Sequence, residues 1–312
     1  MYDSLDMRLT SMEAENVDFL NEIPQFCDKV IKHTYPNGDY SYTGILENLS
    51  VSISRNSVGV KDGSFCKWLL GNNLQTMGRN DVKFGLEKLS DILHLPMNRA
   101  IVSRIDIAQN IVLKYPIDVY LNHLGYCGNI KPSEQPNGVY YHQKNLSFCL
   151  YEKIREQKAA KNPIPELFKK RNCMRMELRL KSRLAATLKR SSITGALLYD
   201  EAFYLEMVNL WGSYYKSIQK INDIQINFNE IKTRTDFRRY SSIDWVAQNG
   251  GQTAIINQIK NAQKMNGLTA KQAHDLKKEV EAANDVENGF TCQSEAIIEL
   301  DRKVEEAIKY QF

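Results

Sequence analysis

The sequence predicts an α+β fold in which an antiparallel sheet of the palm or RRM-like kind carries helices on one face and a functional site on the other, with a helical C-terminal region. Two patterns carry this prediction. Short β-rich runs separated by Asn, Gly and Asp-Gly turn signals lie between Tyr40 and Asn72, and apolar residues at spacings of three and four dominate beyond residue 200. With 312 residues, of which 43% are hydrophobic, the chain can bury a sizeable core.

The N-terminal part predicts a strand, a polar helix and an antiparallel meander. Alternation over Ser4–Thr10 indicates the strand, and the helix begins near Glu13 and is interrupted near Pro24. Between Tyr40 and Asn72 lie the three or four β-rich runs of the meander, which are YSYTGIL, LSVSI, SVGVK and SFCKWLL.

An amphipathic helix, a long strand and a short helix follow. The helix is predicted over Asp81–His94, with Asn80 as its cap, because apolar residues recur there at helical spacing. The strand is predicted over Arg99–Lys114 and the short helix over Pro116–Leu124. A loop rich in Gly, Pro and Asn then runs over Gly125–Gly138.

Two paired strands and one alternating segment complete the predicted sheet. The paired strands are Val139–His142 and Leu146–Tyr151, joined by a tight turn. In the segment Cys173–Lys181, apolar residues occupy one parity and charged residues the other, so one face of this strand is buried and one is polar.

Helices fill the remainder of the chain. Asp200–Ile221 and Ser294–Tyr310 carry apolar residues at helical spacing, and GGQ at 250–252 and NGL at 266–268 break the region between them. We therefore predict a catalytic region over residues 1–230 and a helical region over residues 231–312.

The cysteines and the hydropathy indicate a cytoplasmic protein. The six cysteines show no CxxC or zinc-type spacing, which is typical of buried thiols in a reducing compartment. No apolar run approaches the roughly 20 residues that a membrane-spanning helix needs, so we expect no membrane partner.

Positive charge is concentrated in one segment. The whole chain has a formal net charge of +4, yet Tyr151–Arg190 holds 13 Lys and Arg against 4 Glu. Such a segment is either a solvated face or a surface that binds nucleic-acid phosphates with a strong dependence on salt.

The polar parity of two strands suggests phosphodiester chemistry. Glu177 lies between Arg175 and Arg179, and Asp106 lies beside Arg104. Carboxylates in such a setting either form salt bridges or bind a metal ion while the arginines bind the phosphates on which it acts, and a nearby tyrosine can supply a nucleophile. The motifs of P-loop, dinucleotide-binding, GxSxG and HExxH proteins are absent, and the five histidines show no ligand spacing.

Five segments together resemble the phage/plasmid replication protein family, the rolling-circle replication initiators of plasmids and filamentous-type phages. They are GNNLQTM at 71–77, SRIDIAQN at 103–110, GVYYHQ at 138–143, LYEKIREQK at 150–158 and RMELRL at 175–180. The resemblance covers roughly residues 1–230. Because the chain lacks the histidine pair of the related HUH endonucleases, only the carboxylate-liganded branch of such initiators fits it.

The resemblance implies particular roles for several residues. Asp106 matches the family's strand aspartate, Glu177 the glutamate of its R-x-E-x-R segment, and Tyr140, rather than Tyr141, its nucleophile. Glu152 stands where the family's Tyr-Asp-Lys segment has Asp, and Glu156 is a second candidate for the same role.

The physical chemistry of the site adds a cofactor and further roles. Asp106, Glu152 and Glu177 would form a metal site whose carboxylates favour Mg²⁺ or Mn²⁺. Lys153 would lower the pKa of the phenol or stabilise charge on the phosphate, or else it is an ordinary surface lysine. Arg104, Arg175 and Arg179 would bind DNA.

The predicted function is initiation of rolling-circle DNA replication. The chain would nick and rejoin origin DNA, single-stranded or in an extruded hairpin, through a 5′-phosphotyrosine that leaves a 3′ hydroxyl primer. A host helicase or polymerase is a further expected partner. Two alternatives stay open, a non-catalytic sequence-specific DNA-binding protein and a mobilisation relaxase.

Overall fold

The computed structural model of the chain describes residues 1–15, 17–181, 183–221, 223–224, 231–292 and 294–311. Its strands, in chain order, are β1 (Tyr2–Thr10), β2 (Asp28–Thr34), β3 (Tyr40–Leu46), β4 (Leu49–Ser54), β5 (Ser57–Lys61), β6 (Ile101–Leu113), β7 (Leu124–Cys127), β8 (Ser133–Gln135), β9 (Gly138–His142), β10 (Leu146–Glu152), β11 (Asn172–Leu180), β12 (Ile218–Lys220), β13 (Asp223–Ile224) and β14 (Thr291–Cys292). Its α-helices are α1 (Phe19–Glu22), α2 (Phe65–Leu70), α3 (Arg79–Leu93), α4 (Ile117–Leu121), α5 (Lys153–Ala159), α6 (Leu184–Thr187), α7 (Glu201–Lys216), α8 (Arg234–Gln248), α9 (Gly251–Lys264), α10 (Ala270–Phe290) and α11 (Glu295–Lys309).

A ten-stranded sheet organises the fold, with the strand order β2-β3-β4-β5-β1-β6-β11-β10-β9-β8. Every neighbouring pair in it is antiparallel. The central pair β1 and β6 joins the β2–β5 meander to the half formed by β8–β11. The predicted α+β class with an antiparallel sheet is confirmed.

The two faces of the sheet differ because apolar and polar residues alternate along its strands. Ile105 and Ile107 of β6, with Met176 and Leu178 of β11, are buried on one face. Helices α7 and α11 pack against these strands, and the indole N–H of Trp211 donates to the Met176 carbonyl at 3.2 Å. We call the opposite side, which carries the charged residues of β6 and β11, the polar face.

Two N-terminal predictions are wrong in part. The run SFCKWLL forms helix α2, because Ser64 caps it by accepting from the Lys67 N–H and Gly71 ends it at φ 78°. The helix predicted from Glu13 shrinks to α1, which is capped by Asp18.

Edge strand β2 was not predicted at all. All its residues are exposed, so their side chains show no alternation between core and solvent that a sequence pattern could reveal.

Two boundaries also differ from expectation. Helix α3 begins two residues earlier than its predicted cap Asn80 implies, because the Asp81 carboxylate accepts from the Gly78 N–H at 2.8 Å. The short helix α4 ends at Leu121, and strands β7 and β8 occupy part of the predicted loop.

The C-terminal region divides in a way the sequence did not indicate. Helices α8, α9 and α10 pack on one another around a hydrophobic cluster of their own, formed by Val246, Ile255, Ile259, Ala273 and Val280. Helix α11, however, buries Ile297, Leu300 and Val304 in the main core. The predicted boundary at residue 230 lies outside the described residues, and α11 belongs with the sheet. Deletion of everything beyond residue 230 would therefore remove Ile297, Leu300 and Val304 from the main core.

No helix among the described residues is long and apolar enough to cross a membrane.

Two neighbouring isoleucines of α11 test this packing. The Ile297 side chain is 0% exposed and that of Ile298 is 52% exposed. We expect Ile297→Ala to lower the free energy of unfolding of the main domain by about 2–5 kcal/mol, since it leaves a cavity in the core. Ile298→Ala, the same chemical change on the solvent side, should alter it by less than about 0.5 kcal/mol. Urea unfolding measures both, and equal effects would contradict the placement of α11.

Candidate active site

Neighbouring strands bring the main predicted site residues together on the polar face. Tyr140 of β9 pairs with Cys149 of β10, which pairs with Glu177 of β11. Two positions further along β11, Arg179 pairs with Asp106 of β6. Directly paired residues lie on the same face of a sheet, so Tyr140, Glu177 and Asp106 share one face, as the strand parity predicted.

Asp106 is almost fully buried and is held by Arg104. The guanidinium donates through Nε at 2.9 Å and Nη2 at 2.5 Å to the two carboxylate oxygens. Burial raises the pKa of Asp106 to about 6, although the hydrogen bond from Arg104 acts in the opposite direction. The Glu177 carboxylate, which lies on the same face of the sheet, adds to this rise in pKa.

Glu177 is buried between two arginines. Its Oε2 lies 3.0 Å from Nη2 of Arg179 and 3.5 Å from Nε of Arg175. Burial acts to raise the pKa of Glu177, but Arg175 and Arg179 outweigh it and lower the pKa to about 2. The sheet therefore holds an ionised carboxylate on a largely desolvated surface.

Arg175 has a structural position that its sequence pattern did not indicate. Its side chain is only 2% exposed, and Nη2 lies 2.9 Å from the Asp3 carboxylate. Nη1 donates to the Asn73 carbonyl at 3.1 Å and to Oδ1 of Asn110 at 3.3 Å. A guanidinium enclosed in this way does not reach a phosphate, so the structure does not support DNA binding by Arg175.

Arg104 and Arg179 differ from Arg175 in exposure. Their side chains are 27% and 29% exposed, so each arginine can bind its carboxylate and still face solvent. These two arginines keep their predicted role in DNA binding.

Glu152 is not brought to Asp106 and Glu177. It pairs with Met174, which lies on the apolar parity of β11, and it ends β10 just before α5 begins. Glu156, one turn into α5, is the better placed of the two candidates, because its charge acts on both Tyr140 and Tyr151.

Lys153 is buried and bound to a carboxylate. Its Nζ donates to Glu156 Oε2 at 2.7 Å rather than to a tyrosine hydroxyl. Burial, followed by the positive charge of Arg175, lowers the pKa of Lys153. The structure thus links Lys153 to the site through Glu156 and Arg175.

The adjacent tyrosines 140 and 141 point to opposite sides of β9. Tyr141 is fully buried, and its hydroxyl donates to the Gly125 carbonyl at 2.7 Å. Tyr140 is partly exposed and its ring stacks with those of His142 and Tyr151, at centroid distances of 6.0 Å and 6.4 Å. The prediction that only one of the pair faces the carboxylates is confirmed.

Tyr151 is a site residue that sequence reasoning missed. Its hydroxyl donates to Glu177 Oε2 at 3.1 Å, and burial raises its pKa. Gly138 lies opposite it on β9, where a Cβ would come within 2.5 Å of Tyr151 Cβ. The sequence pattern could have revealed Tyr151. Phe148 and Leu150 of β10 lie on the apolar face, so Tyr151, at the opposite parity, lies on the face of Glu177.

The donor set fits a magnesium-type ion only in part. Across the described ranges, no group of three or more His, Cys, Asp or Glu side chains is arranged to hold a metal ion. Asp106 and Glu177 still form a neighbouring pair of carboxylates. Mg²⁺ commonly takes one or two protein carboxylates together with water and substrate phosphates, so a magnesium site on this pair stays a prediction.

The different exposures of Arg175 and Arg179 lead to a test. Arg175→Ala should lower the free energy of unfolding by about 3–5 kcal/mol, because it leaves the buried Asp3 and Glu177 carboxylates without their shared partner. Arg179→Ala removes a partly exposed partner and should cost only about 1 kcal/mol. Urea unfolding followed by tryptophan fluorescence compares the two variants. If the two variants were equally stable and bound DNA equally weakly, Arg175 would be a DNA contact at the surface, as the sequence predicted.

Comparison with known proteins agrees with this architecture. A search of curated proteins finds no match. The family model that describes the N-terminal region of a phage replication-associated protein matches residues 1–213, which run from β1 into α7 and include every site residue discussed above. The chain therefore belongs to this phage replication-associated family and is a rolling-circle replication initiator.

Proposed function

We propose that the protein nicks and rejoins origin DNA through a transient phosphotyrosine. The observation that carries this proposal is a phenol hydrogen-bonded to Glu177, beside the Asp106 carboxylate, on the polar face of the sheet. A tyrosine nucleophile and carboxylates that bind a metal ion are groups that can carry out phosphodiester transfer, and arginines can bind the phosphate.

Asp106 and Glu177 would hold Mg²⁺ or Mn²⁺. Such an ion, when bound, neutralises negative charge on the scissile phosphate. Arg104 and Arg179 bind the two carboxylates and are partly exposed, so each would also present N–H groups to the phosphate oxygens. Both arginines would thereby keep the DNA backbone over the carboxylates.

The proposed reaction conserves the phosphodiester bond. The tyrosine oxygen attacks phosphorus and loses its proton, the bond from phosphorus to the 3′ oxygen breaks, and that oxygen takes up a proton. The products are a 5′-phosphotyrosine and a free 3′ hydroxyl, which primes synthesis. Attack by a 3′ hydroxyl on the phosphotyrosine reverses the step and rejoins the strand.

Its contact with Glu177 makes Tyr151 our first choice for the nucleophile over Tyr140, although Tyr151 is only 6% exposed and DNA binding would have to open access to its hydroxyl. The Tyr151 hydroxyl touches Glu177, whereas Tyr140 contacts the site through ring stacking with Tyr151. Tyr140, the choice made from the sequence, stays the second candidate because it is the more exposed of the two. Its stacked ring would in either case shape the space above Tyr151.

Exposed cations near both ends of β11 support DNA binding. On one side they lie in α5 and the segment that follows it, and on the other in the segment after β11. They are Lys158, Lys161, Lys169, Lys170, Arg171, Lys181, Arg183, Lys189 and Arg190. A host helicase or polymerase as a partner stays a prediction.

Substitution of each tyrosine tests the chemistry. The wild-type protein should relax a supercoiled plasmid that carries the origin when Mg²⁺ is present. With a suicide oligonucleotide, the protein should form a covalent protein–DNA adduct. We expect Tyr151→Phe to abolish the adduct with DNA binding intact, because only one oxygen is lost. Tyr140→Phe should reduce the rate of adduct formation less than Tyr151→Phe does. Tyr141→Phe removes the same oxygen from a tyrosine in the core, and a folded Tyr141→Phe variant should keep its activity.

Peptide mapping of the adduct identifies the attacking residue. A label on Tyr140 would reinstate the choice made from the sequence, and a label on neither tyrosine would rule out the proposed step. Retention of DNA on the protein without any relaxation would favour the non-catalytic DNA-binding alternative. Cleavage of transfer-origin DNA, but not of replication-origin DNA, would favour the mobilisation relaxase.

A further inference from the structure

The polar face continues beyond the candidate active site onto strands with very small side chains. On this side β4 carries Ser52, which pairs with Gly59 of β5 and with Thr43 of β3. Thr43 is exposed, and Ser52 and Gly59 are partly exposed. We call the surface formed by Ser41, Thr43, Ser50, Ser52, Ser54, Ser57 and Gly59 the serine-threonine face.

Strand register joins this face to the site without a break. Arg104, which binds Asp106, pairs with Asp6 of β1. Arg8 lies two residues along β1, on the same side as Asp6, and pairs with Gly59. The path from the Asp106 carboxylate to the serine-threonine face therefore runs over Arg104 and Arg8.

The charge of this surface suits a polyanion. The described residues of β3, β4 and β5 on this side include no carboxylate. The carboxylates near the track include Asp6 of β1, which lies opposite Arg104, and Asp62, which is 3.8 Å from Lys61 at the end of β5. Arg8 is exposed and forms no ion pair with any described residue. A solvated sheet face commonly carries mixed long charged side chains, whereas this one has hydroxyls beside the Arg8 guanidinium. Hydroxyl, lysine and arginine side chains are the usual donors to DNA phosphates.

The outer end of the face offers an aromatic ring beside a shallow depression. The depression has a volume of about 390 Å³ and is lined by His33, Tyr35, Ser41, Thr43 and Ser52, among others. Tyr35 is 50% exposed, and its hydroxyl lies 2.9 Å from Ser41 Oγ. Base stacking on exposed aromatic rings is a general mode of single-strand binding.

We propose that the serine-threonine face, with Arg8 and Tyr35, binds the single strand of DNA that extends from the nick site. This proposal rests on the proposed nicking function for the identity of the strand. Five strand spacings of about 4.8 Å separate β6 from β2, so the track is roughly 24 Å long and covers several nucleotides. Small side chains let the DNA backbone approach closely, Arg8 binds a phosphate, and Tyr35 stacks on a base.

Fluorescence anisotropy with oligonucleotides of two lengths tests the proposal. The short one spans only the nick site, and the long ones extend it by about ten nucleotides on the 5′ or the 3′ side, within the range that single-strand-binding folds cover. The variants are Arg8→Ala, Tyr35→Ala and Thr43→Glu, all at exposed positions. Lys83→Ala, an exposed lysine of α3, is the matched loss of charge elsewhere on the protein.

The three variants should weaken binding of one of the long oligonucleotides and leave the short one within about twofold. Arg8→Ala should reduce the slope of log affinity against log salt by about 0.7, the value for one phosphate contact with a single strand. Thr43→Glu should weaken binding by about tenfold through repulsion of phosphates. Lys83→Ala should leave both affinities unchanged. Circular dichroism melting confirms that each variant is folded, and if Thr43→Glu unfolds, Arg8→Ala and Tyr35→Ala decide.

Unchanged affinity of the folded variants for every long oligonucleotide would overturn the inference, as would equal weakening by Lys83→Ala. Plasmid relaxation by the wild-type chain is measured in parallel. If the wild type relaxes DNA and the variants bind normally, only the track is wrong. If the wild type does not relax DNA but the variants bind the long oligonucleotide more weakly, the nicking proposal is wrong and the proposed single-strand binding surface is supported.

Discussion

The buried ion pairs of Arg175 with Asp3 and Glu177 are the interaction on which the polar face depends. Desolvated carboxylates are costly unless a cation and hydrogen bonds compensate them, and Arg175 supplies both while donating to Asn73 and Asn110. The Arg175 guanidinium therefore contacts four parts of the chain, which are β1, β6, β11 and the loop before α3. Glu177 can then stay ionised within reach of Asp106 and of the Tyr151 hydroxyl.

Local alternation explains what could be predicted from the sequence. The period of two along β6, β9 and β11 correctly assigned Asp106, Glu177 and Tyr140 to one face and Tyr141 to the other, because side-chain direction in a strand depends only on residue parity. The same rule applied to β10 would have revealed Tyr151. Strand β2 has no such signal, since neither of its faces is buried.

Contacts between distant segments explain what could not be predicted. The burial of Arg175 results from Asp3 and from the Asn73 carbonyl, which lie more than a hundred residues away along the chain. The position of Glu152, by contrast, follows from parity, because Glu152 falls on the same side of β10 as Leu150 and pairs with Met174. Helix α11 returns to the main core past the α8–α10 bundle, and no local pattern distinguishes a helix that packs on the sheet from one that packs on its neighbours.

We propose that Asp106 and Glu177 act together as one metal site, held in place by their arginines. Electron paramagnetic resonance titration of the full chain with Mn²⁺ tests this without any DNA substrate. The wild type should bind Mn²⁺ at one site, and Asp106→Asn and Glu177→Gln should each weaken that binding by at least about tenfold, as loss of a carboxylate ligand predicts. Unchanged Mn²⁺ affinity in both variants would contradict the claim and leave the two carboxylates as parts of a purely structural salt-bridge network.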